Sequence, residues 1–268
     1  MDSFERLVAE AVAVPLQGWD FSWLDGRAEG SQPSWSYPAL ARELLRDCAA
    51  LLDIDTGGGE FLASLAPLPA RTTAIEGWPP NVPVARDRLA PLGAEVRFAP
   101  GATLPVESGS VDVVLNRHGR LDPQEVARVL RPGGTLLTQQ VGSDDCAAIN
   151  AALGAPTTHG TAWNAETAAQ ALTDAGLTVT GVREEWPPFT FFDVGALVYQ
   201  LRAVPWQVPD FTADRYDAAL RRIDQRIRAE GAFRVHAHRF LIQASRPDPG
   251  INRPASPALG AGPGGRAG

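Results

Sequence analysis

Between residues 50 and 183, short apolar runs alternate with stretches of helical period. ALLDI (Ala50–Ile54) has the length and continuity of a strand buried on both faces. Residues 60–65 open a short helix that Pro67 ends, because proline cannot continue the backbone hydrogen-bond ladder. RTTAIE (Arg71–Glu76) reads as a second strand. Asn81 is placed to cap the next helix, with Pro83 in its first turn; Val84, Ala85, Leu89 and Leu92 recur at helical spacing and Gly93 stops it. Strands over 95–99 and 111–116 follow. Asp122, Pro123 and Glu125 have the spacing of a capping box. Pro132-Gly133-Gly134 ends that helix, 135–141 forms a fifth strand, and a helix over 165–175 closes at Gly176.

Strand and helix alternating at this pitch predict a doubly wound, mostly parallel α/β sheet covered on both faces. Beyond it the pattern changes. Residues 193–204 and 213–230 read as helices, the second with Tyr216, Leu220, Ile223 and Ile227 on one face. Residues 233–244 read as one long alternating strand that completes the sheet, with His236 and His238 on a common face. Two histidines without a third ligand do not make a metal site, and none is expected. A helix over 4–14 and a Trp-rich connection form an N-terminal cap (1–49) on a domain spanning 50–245. Residues 246–268 are almost half Pro and Gly, too poor in apolar side chains to offset their ordering entropy, and are expected to be a disordered tail.

Composition narrows the class. The 268-residue chain is 44% hydrophobic and 21% charged, the balance of a globular protein with a sizeable core. No apolar run approaches the ~20 residues of a membrane span, and MDSFERLVAE lacks the cationic start of a signal peptide, so the expected location is cytoplasmic. Cys48 and Cys146 are too few and too far apart for a metal motif or a disulfide framework. A formal charge of −7 disfavours nucleic-acid binding. The chain contains no lysine, which excludes Schiff-base chemistry and lysine-anchored phosphate loops and suggests GC-rich, bacterial coding.

The candidate chemistry lies in LLDIDTGGGE (residues 51–60). Glycines at a strand–helix turn let the backbone approach a ligand and aim amides at it, and ligands of such sheets sit beyond the carboxyl ends of the strands. Glu76, 19 positions after Gly57, stands where an acidic side chain accepts hydrogen bonds from a ribose. A dinucleotide fingerprint needs a third glycine inside the helix, and this chain lacks it.

The D-x-D-x-G-G-G order instead resembles the first motif of class I S-adenosylmethionine-dependent methyltransferases, D-x-G-x-G-x-G. LPVESGSVDVVLNRHG (104–119) is similar to that family's fourth-strand segment, and EVARVLRPGGTLL (125–137) to the helix and turn before its fifth strand. QGWDFSWLDGR (17–27), NRH (116–118) and AHRFLIQA (237–244) resemble a bacterial, uncharacterised branch of it. The resemblance implies a Rossmann-like fold with an antiparallel final strand and methyl transfer to a small-molecule oxygen or nitrogen. It implies that Asp53 and the backbone of Gly57, Gly58 and Gly59 hold the methionine part of S-adenosylmethionine, and that Glu76 and Gly77 hold the ribose. Gly101 and Ala102 then flank the adenine, and Asn116, Arg117 and His118 face the sulfonium and the acceptor.

Asp55 replaces the motif's first variable glycine, and no acidic residue in Pro100-Gly101-Ala102 is available for the adenine amine. At ~4 Å and an effective dielectric near 20, the Asp55 carboxylate attracts the cofactor's ammonium or repels its carboxylate by up to about 4 kcal/mol before desolvation. The sequence does not choose the sign, so a catalytically degenerate binding module that acts through partners stands as the alternative. His118 is either a base for the acceptor proton or a packing residue. Arg117 binds an acidic substrate or forms a surface pair. Trp19, Trp78 and His159 are the candidates for the acceptor pocket.

Overall fold

The structure, a computed structural model, describes residues 3–16, 21–157 and 162–248. Trp19, His159 and nearly all of the expected tail lie outside those residues. From the N-terminus, α1 (Ser3–Ala13) and β1 (Ala28–Gly30) precede α2 (Tyr37–Leu45). Next come β2 (Ala50–Ile54), α3 (Glu60–Ala63), β3 (Arg71–Glu76), α4 (Asn81–Leu89), β4 (Glu95–Phe98), β5 (Val111–Arg117), α5 (Pro123–Val129) and β6 (Leu130–Val141). The chain continues through α6 (Ala147–Leu153), α7 (Ala165–Asp174), β7 (Thr178–Glu185), β8 (Pro188–Phe191), α8 (Val194–Ala203), α9 (Asp217–Glu230), β9 (Phe233–His236) and β10 (Arg239–Ser245).

Seven strands form the main sheet in the order β4-β3-β2-β5-β6-β10-β7. Strands β2 to β6 pair in parallel, and β10 runs antiparallel to both β6 and β7. This is the expected doubly wound, Rossmann-like sheet with its antiparallel final strand. Alternate residues of the buried strands feed two cores. Leu51, Ala74, Leu115 and Leu137 pack with α2, α3 and α4, while Leu52, Ile75, Val114 and Leu136 pack with α5 and α7. Strand order reverses between β2 and β5, so the loops after those strands part and leave a crevice at their carboxyl ends.

A second sheet, β1-β8-β9, is antiparallel and packs with α1, α6, α8 and α9 around a separate core that includes Phe4, Leu197, Phe191 and Phe233. The first 49 residues therefore contribute to two cores. Helix α1 and β1 join this second layer, and Trp35, Tyr37 and Ala41 cover a face of the main sheet. Helix α2 lies in the stretch read as connection. Its signals are local: the Ser36 side chain accepts from the Ala39 amide, and Pro38 sits in the first turn.

Three expectations about elements need correction. Asn81 is the first helical residue and caps nothing. Helix α5 ends at Val129, before Pro132-Gly133-Gly134, and those three residues form an irregular entry to β6. The single strand over 233–244 is two strands in two sheets, β9 and β10, parted at Ala237 and His238. Alternating burial through Val235 gives way to the continuous run Phe240-Leu241-Ile242, which marks the change from a one-sided to a two-sided environment. His236 is exposed and His238 fully buried, so the two do not share a face.

His238 is the pin of this junction. Its Nδ1 accepts from the Asp144 amide (3.2 Å), which leaves Nε2–H to donate to Glu184 Oε1 (2.8 Å). Its backbone amide donates to Asp145 Oδ1 (2.8 Å), and Trp186 stacks on the ring at 4.8 Å. Replacing His238 by Ala takes the acceptor from the Asp144 amide and empties a fully buried position, and is expected to cost about 2–4 kcal/mol in urea unfolding. His236→Ala is expected to stay within about 0.5 kcal/mol; equal costs for the two would refute the split.

Candidate functional site

The turn after β2 begins with Asp55, which takes a left-handed conformation (φ 57°) unusual for any residue but Gly, Asn or Asp. Gly57 (φ 64°) and Gly59 (φ 81°) follow. At Gly59 a β-carbon would lie 2.9 Å from Leu89 of α4, so the loop can sit this low only with glycine there. Arg88, also from α4, donates to the Gly58 carbonyl and pairs with Glu60, fixing the loop from below.

Glu76, at the end of β3, is buried and accepts from the amides of Gly57 and Trp78, each at 2.7 Å. One carboxylate thus ties the loop expected to hold the methionine portion to the turn after β3 expected at the ribose. A carboxylate offers about four acceptor positions, so two remain for hydroxyl donors. Asp53, 3% exposed, lies beneath the glycine loop. Burial is the chief cause that pushes its carboxyl up to about 7, and the nearby charges of Asp55 and Glu76 add to it; Thr56 and Arg117 oppose the rise. The support from Thr56 is incomplete, since its buried hydroxyl reaches no partner with hydrogen-bond geometry. Orphaned buried polar groups of this kind are uncommon and mark a place where a ligand completes the network.

Beside this turn opens a cleft of about 400 Å³, walled by Ile54, Pro100, Gly101, Ala102, Leu104 and Leu121 and rimmed by Arg120. Its volume and apolar lining suit a flat heteroaromatic ring. Gly101 and Ala102 line this cleft, and Gly77 faces the same rim across the Arg120 guanidinium. Trp78 does not line the cleft, and its ring is 52% exposed outside it.

Asn116 departs from its expected role. It is fully buried, with Nδ2 donating to the carbonyls of Ile54 (3.3 Å) and Arg120 (3.1 Å) and Oδ1 accepting from Thr138 and Gln140 (2.9 and 2.5 Å). With all four positions engaged, it braces the cleft floor and does not face a ligand. Arg117 is exposed and lies over the Phe61 ring at 5.2 Å.

His118 is also constrained. Trp35 Nε1, which can only donate, gives its hydrogen to Gln139 Oε1 (2.7 Å). That orientation turns Gln139 Nε2 towards His118 Nε2 (2.9 Å), so the imidazole accepts there and carries its proton on Nδ1. The residue is exposed overall, yet desolvation of its ring against neighbouring groups, together with Arg239 and Arg117, lowers the imidazole below its ordinary range. It is neutral at pH 7, but its one lone pair is occupied, and in this arrangement it is not a base for an acceptor proton.

The residue that sequence reading missed is Arg120. It donates to Asp55 through its backbone amide (2.6 Å) and through Nε and Nη2 (3.0 and 2.5 Å). It also donates to the carbonyls of Ala99 (2.9 Å) and Gly101 (2.8 Å). Nothing in a local pattern pairs positions 55 and 120. The buried polar run Thr138-Gln139-Gln140 within β6, by contrast, is a readable signal of the network under the site.

Residues 52–138 match the family model described as a methyltransferase domain. No curated protein matches the chain. Among solved structures, the YcgJ protein of Bacillus subtilis superposes with a TM-score of 0.57 at 17% identity, covering 79% of this chain and 98% of that one. A methyltransferase-like protein of Bacillus halodurans C-125 gives 0.57 at 17%, covering 80% and 100%. The [4+2]-cyclase SpnF gives 0.51 at 16%, covering 91% and 93%. At these identities the superpositions establish the fold alone. No group of His, Cys, Asp or Glu among the described residues is arranged to hold a metal, and no helix among them is long and apolar enough to cross a membrane.

Asp53 yields a test of the site's electrostatics without ligand. Its native pKa of about 7 lies above that of the unfolded chain, so the native state holds the proton more tightly. Ionisation at high pH therefore costs stability, on the order of 4 kcal/mol above pH 7. The cost shrinks as pH falls from 7 and is gone below about 4. Asp53→Asn is expected to raise Tm at pH 8, with the two melting curves converging towards pH 4. A constant difference across that range would place the cause elsewhere.

Proposed function

We propose that this chain, which carries a methyltransferase domain on the class I fold, binds S-adenosylmethionine at the carboxyl ends of β2 to β5 and methylates a small molecule on oxygen or nitrogen. The observation that carries the reading is the under-satisfied, buried acidic floor of the glycine turn: Asp53, with the orphaned Thr56 hydroxyl beside it. A ligand bearing an ammonium and polyhydroxyl groups would complete that floor, and the apolar cleft alongside would take its ring.

S-adenosylmethionine supplies a methyl group on a positively charged sulfur, open to in-line attack by an acceptor lone pair. The residues present fit it. Asp53 would pair with the ammonium, the turn of Gly57 to Gly59 would approach the methionine backbone, and Glu76 would accept from the ribose hydroxyls. Gly101 and Ala102 would pack on the adenine. Methyl displacement needs mainly alignment and exclusion of water. With its lone pair occupied by Gln139, His118 does not relieve the acceptor of a proton in this arrangement. That favours a neutral amine or an already acidic hydroxyl as nucleophile. The net charge of −7 favours a small acceptor over a nucleic acid.

One observation supports the second reading, a methyltransferase-like module that binds without transferring methyl groups. The Asp55–Arg120 pair lies across the cleft, and the [4+2]-cyclase SpnF, which shares the fold, is named for a different chemistry.

Calorimetric titration with S-adenosylhomocysteine separates the readings from a cofactor-free protein, and silence at high micromolar concentration would sink the proposal. Affinity is also expected to depend on pH. A cation pairs with ionised Asp53, so binding should weaken about tenfold from pH 8 to pH 6, as a group titrating near 7 takes up its proton. Asp53→Asn should bind weakly at both values, with the pH dependence gone. A wild-type affinity that is flat over this range would remove Asp53 from the ligand.

A further inference from the structure

The guanidinium of Arg120 lies in the cradle that a nucleoside needs. It bridges the turn after β2, through Asp55, and the turn after β4, through the Ala99 and Gly101 carbonyls. It also packs on the residue after β3, where a β-carbon on Gly77 would lie 2.8 Å from Nη2. These are the elements that would hold adenine and ribose. The guanidinium rims the cleft and takes up carbonyl acceptors that the nucleoside would use. The exocyclic amine of adenine needs a carbonyl or carboxylate at this edge, none of residues 100–102 is acidic, and the carbonyls within reach are those that Arg120 occupies.

Asp55 holds Arg120 in place, and local backbone geometry is committed to that task. The left-handed turn at Asp55 aims its carboxylate at residues 119–120. A β-carbon at Gly119 would come within 2.7 Å of the Asp55 β-carbon, so only glycine there lets the pair close. The Arg120 carbonyl is fixed by Asn116 from below, so the backbone stays while the side chain is free to rotate. The side chain is 40% exposed, with solvent available to receive it.

We propose that Arg120, clasped by Asp55, is a latch on the cofactor cleft: the nucleoside enters only when the guanidinium swings out and surrenders the Ala99 and Gly101 carbonyls to it. The proposal rests on the cofactor reading given above. It also gives Asp55 its sign. Paired with Arg120, the carboxylate does not repel the ligand; it sets the cost of entry.

The test is titration of S-adenosylhomocysteine into wild type, Arg120→Ala, Arg120→Gln and Asp55→Asn, at low and at 0.5 M salt. Both Arg120 variants are expected to bind about tenfold more tightly than wild type at low salt, equivalent to about 1.4 kcal/mol. Asp55→Asn should bind more tightly too, by a smaller factor, because the carbonyl contacts of Arg120 survive. Salt screens an exposed ion pair, so wild-type affinity should rise towards that of the variants in 0.5 M salt. Affinities equal within twofold across all four proteins would overturn the latch and leave the cofactor reading standing. Weaker binding by both Arg120 variants would also overturn it, and would make Arg120 a ligand contact. Absence of binding in every protein, each shown folded by its melting transition, would bring down the cofactor reading and the latch with it.

Discussion

The side-chain amide of Asn116 joins three parts of the carboxyl edge of the sheet, and the site depends on that junction. From the end of β5 it reaches the last carbonyl of β2, Thr138 and Gln140 on β6, and the carbonyl of Arg120 in its own following turn. Parallel strands expose unpaired backbone groups where they end, and burying such a group without a partner costs about 1–3 kcal/mol. A single amide, with two donors and two acceptor positions, satisfies several of them at once. In doing so it sets the distance between the Asp55 turn and the turn carrying Arg120. Tyr37 extends the brace, accepting from the Asn116 amide and donating to Leu137, and burial raises its hydroxyl well above the ordinary range, which keeps it a donor.

Above that floor the charges are unequal in kind. Glu76 is buried but answered by two backbone amides, so it serves as a structural tie with capacity left over. Asp53 is buried and under-answered, and its carboxyl titrates about where the cell operates. Asp55 is answered in full by Arg120. Three carboxylates gathered at the ends of two neighbouring strands would repel one another severely without such a division. Stability is given up at Asp53, where a cationic ligand would restore it, in keeping with the way binding sites concentrate perturbed groups.

The second layer explains why the chain is larger than the sheet needs. Residues from both ends build it: α1 and β1 from the start, β8, α8, α9 and β9 from later in the chain. Arg27 and Asp193 link the two contributions at 2.9 Å. This layer has its own core and meets the main sheet at the His238 junction, so its placement depends on one buried histidine, whose backbone amide donates to Asp145 and whose ring donates to Glu184.

What the sequence by itself determined is whatever a short window carries. Strand β2, the glycine turn, Glu76 at its offset, the Asp122 cap and the parallel alternation are all local patterns, and each was found where periodicity and turn chemistry placed it. Helix α2 was read as connection, although Ser36 and Pro38 signal it locally. Tertiary structure alone decided the rest. A long alternating run fits one strand as well as two, and only the change from one-sided to two-sided burial at His238 divides it. Asn116 and His118 follow the strand end where a ligand is expected, yet partners from β6 make one a buried brace, and Gln139, oriented by Trp35, occupies the lone pair of the other. Asp55 carried an undetermined sign until Arg120, 65 residues away, came to rest against it. Helical and strand periods report which way a side chain faces; they do not report which charge from another loop it will meet, because that is set by how the sheet orders its strands.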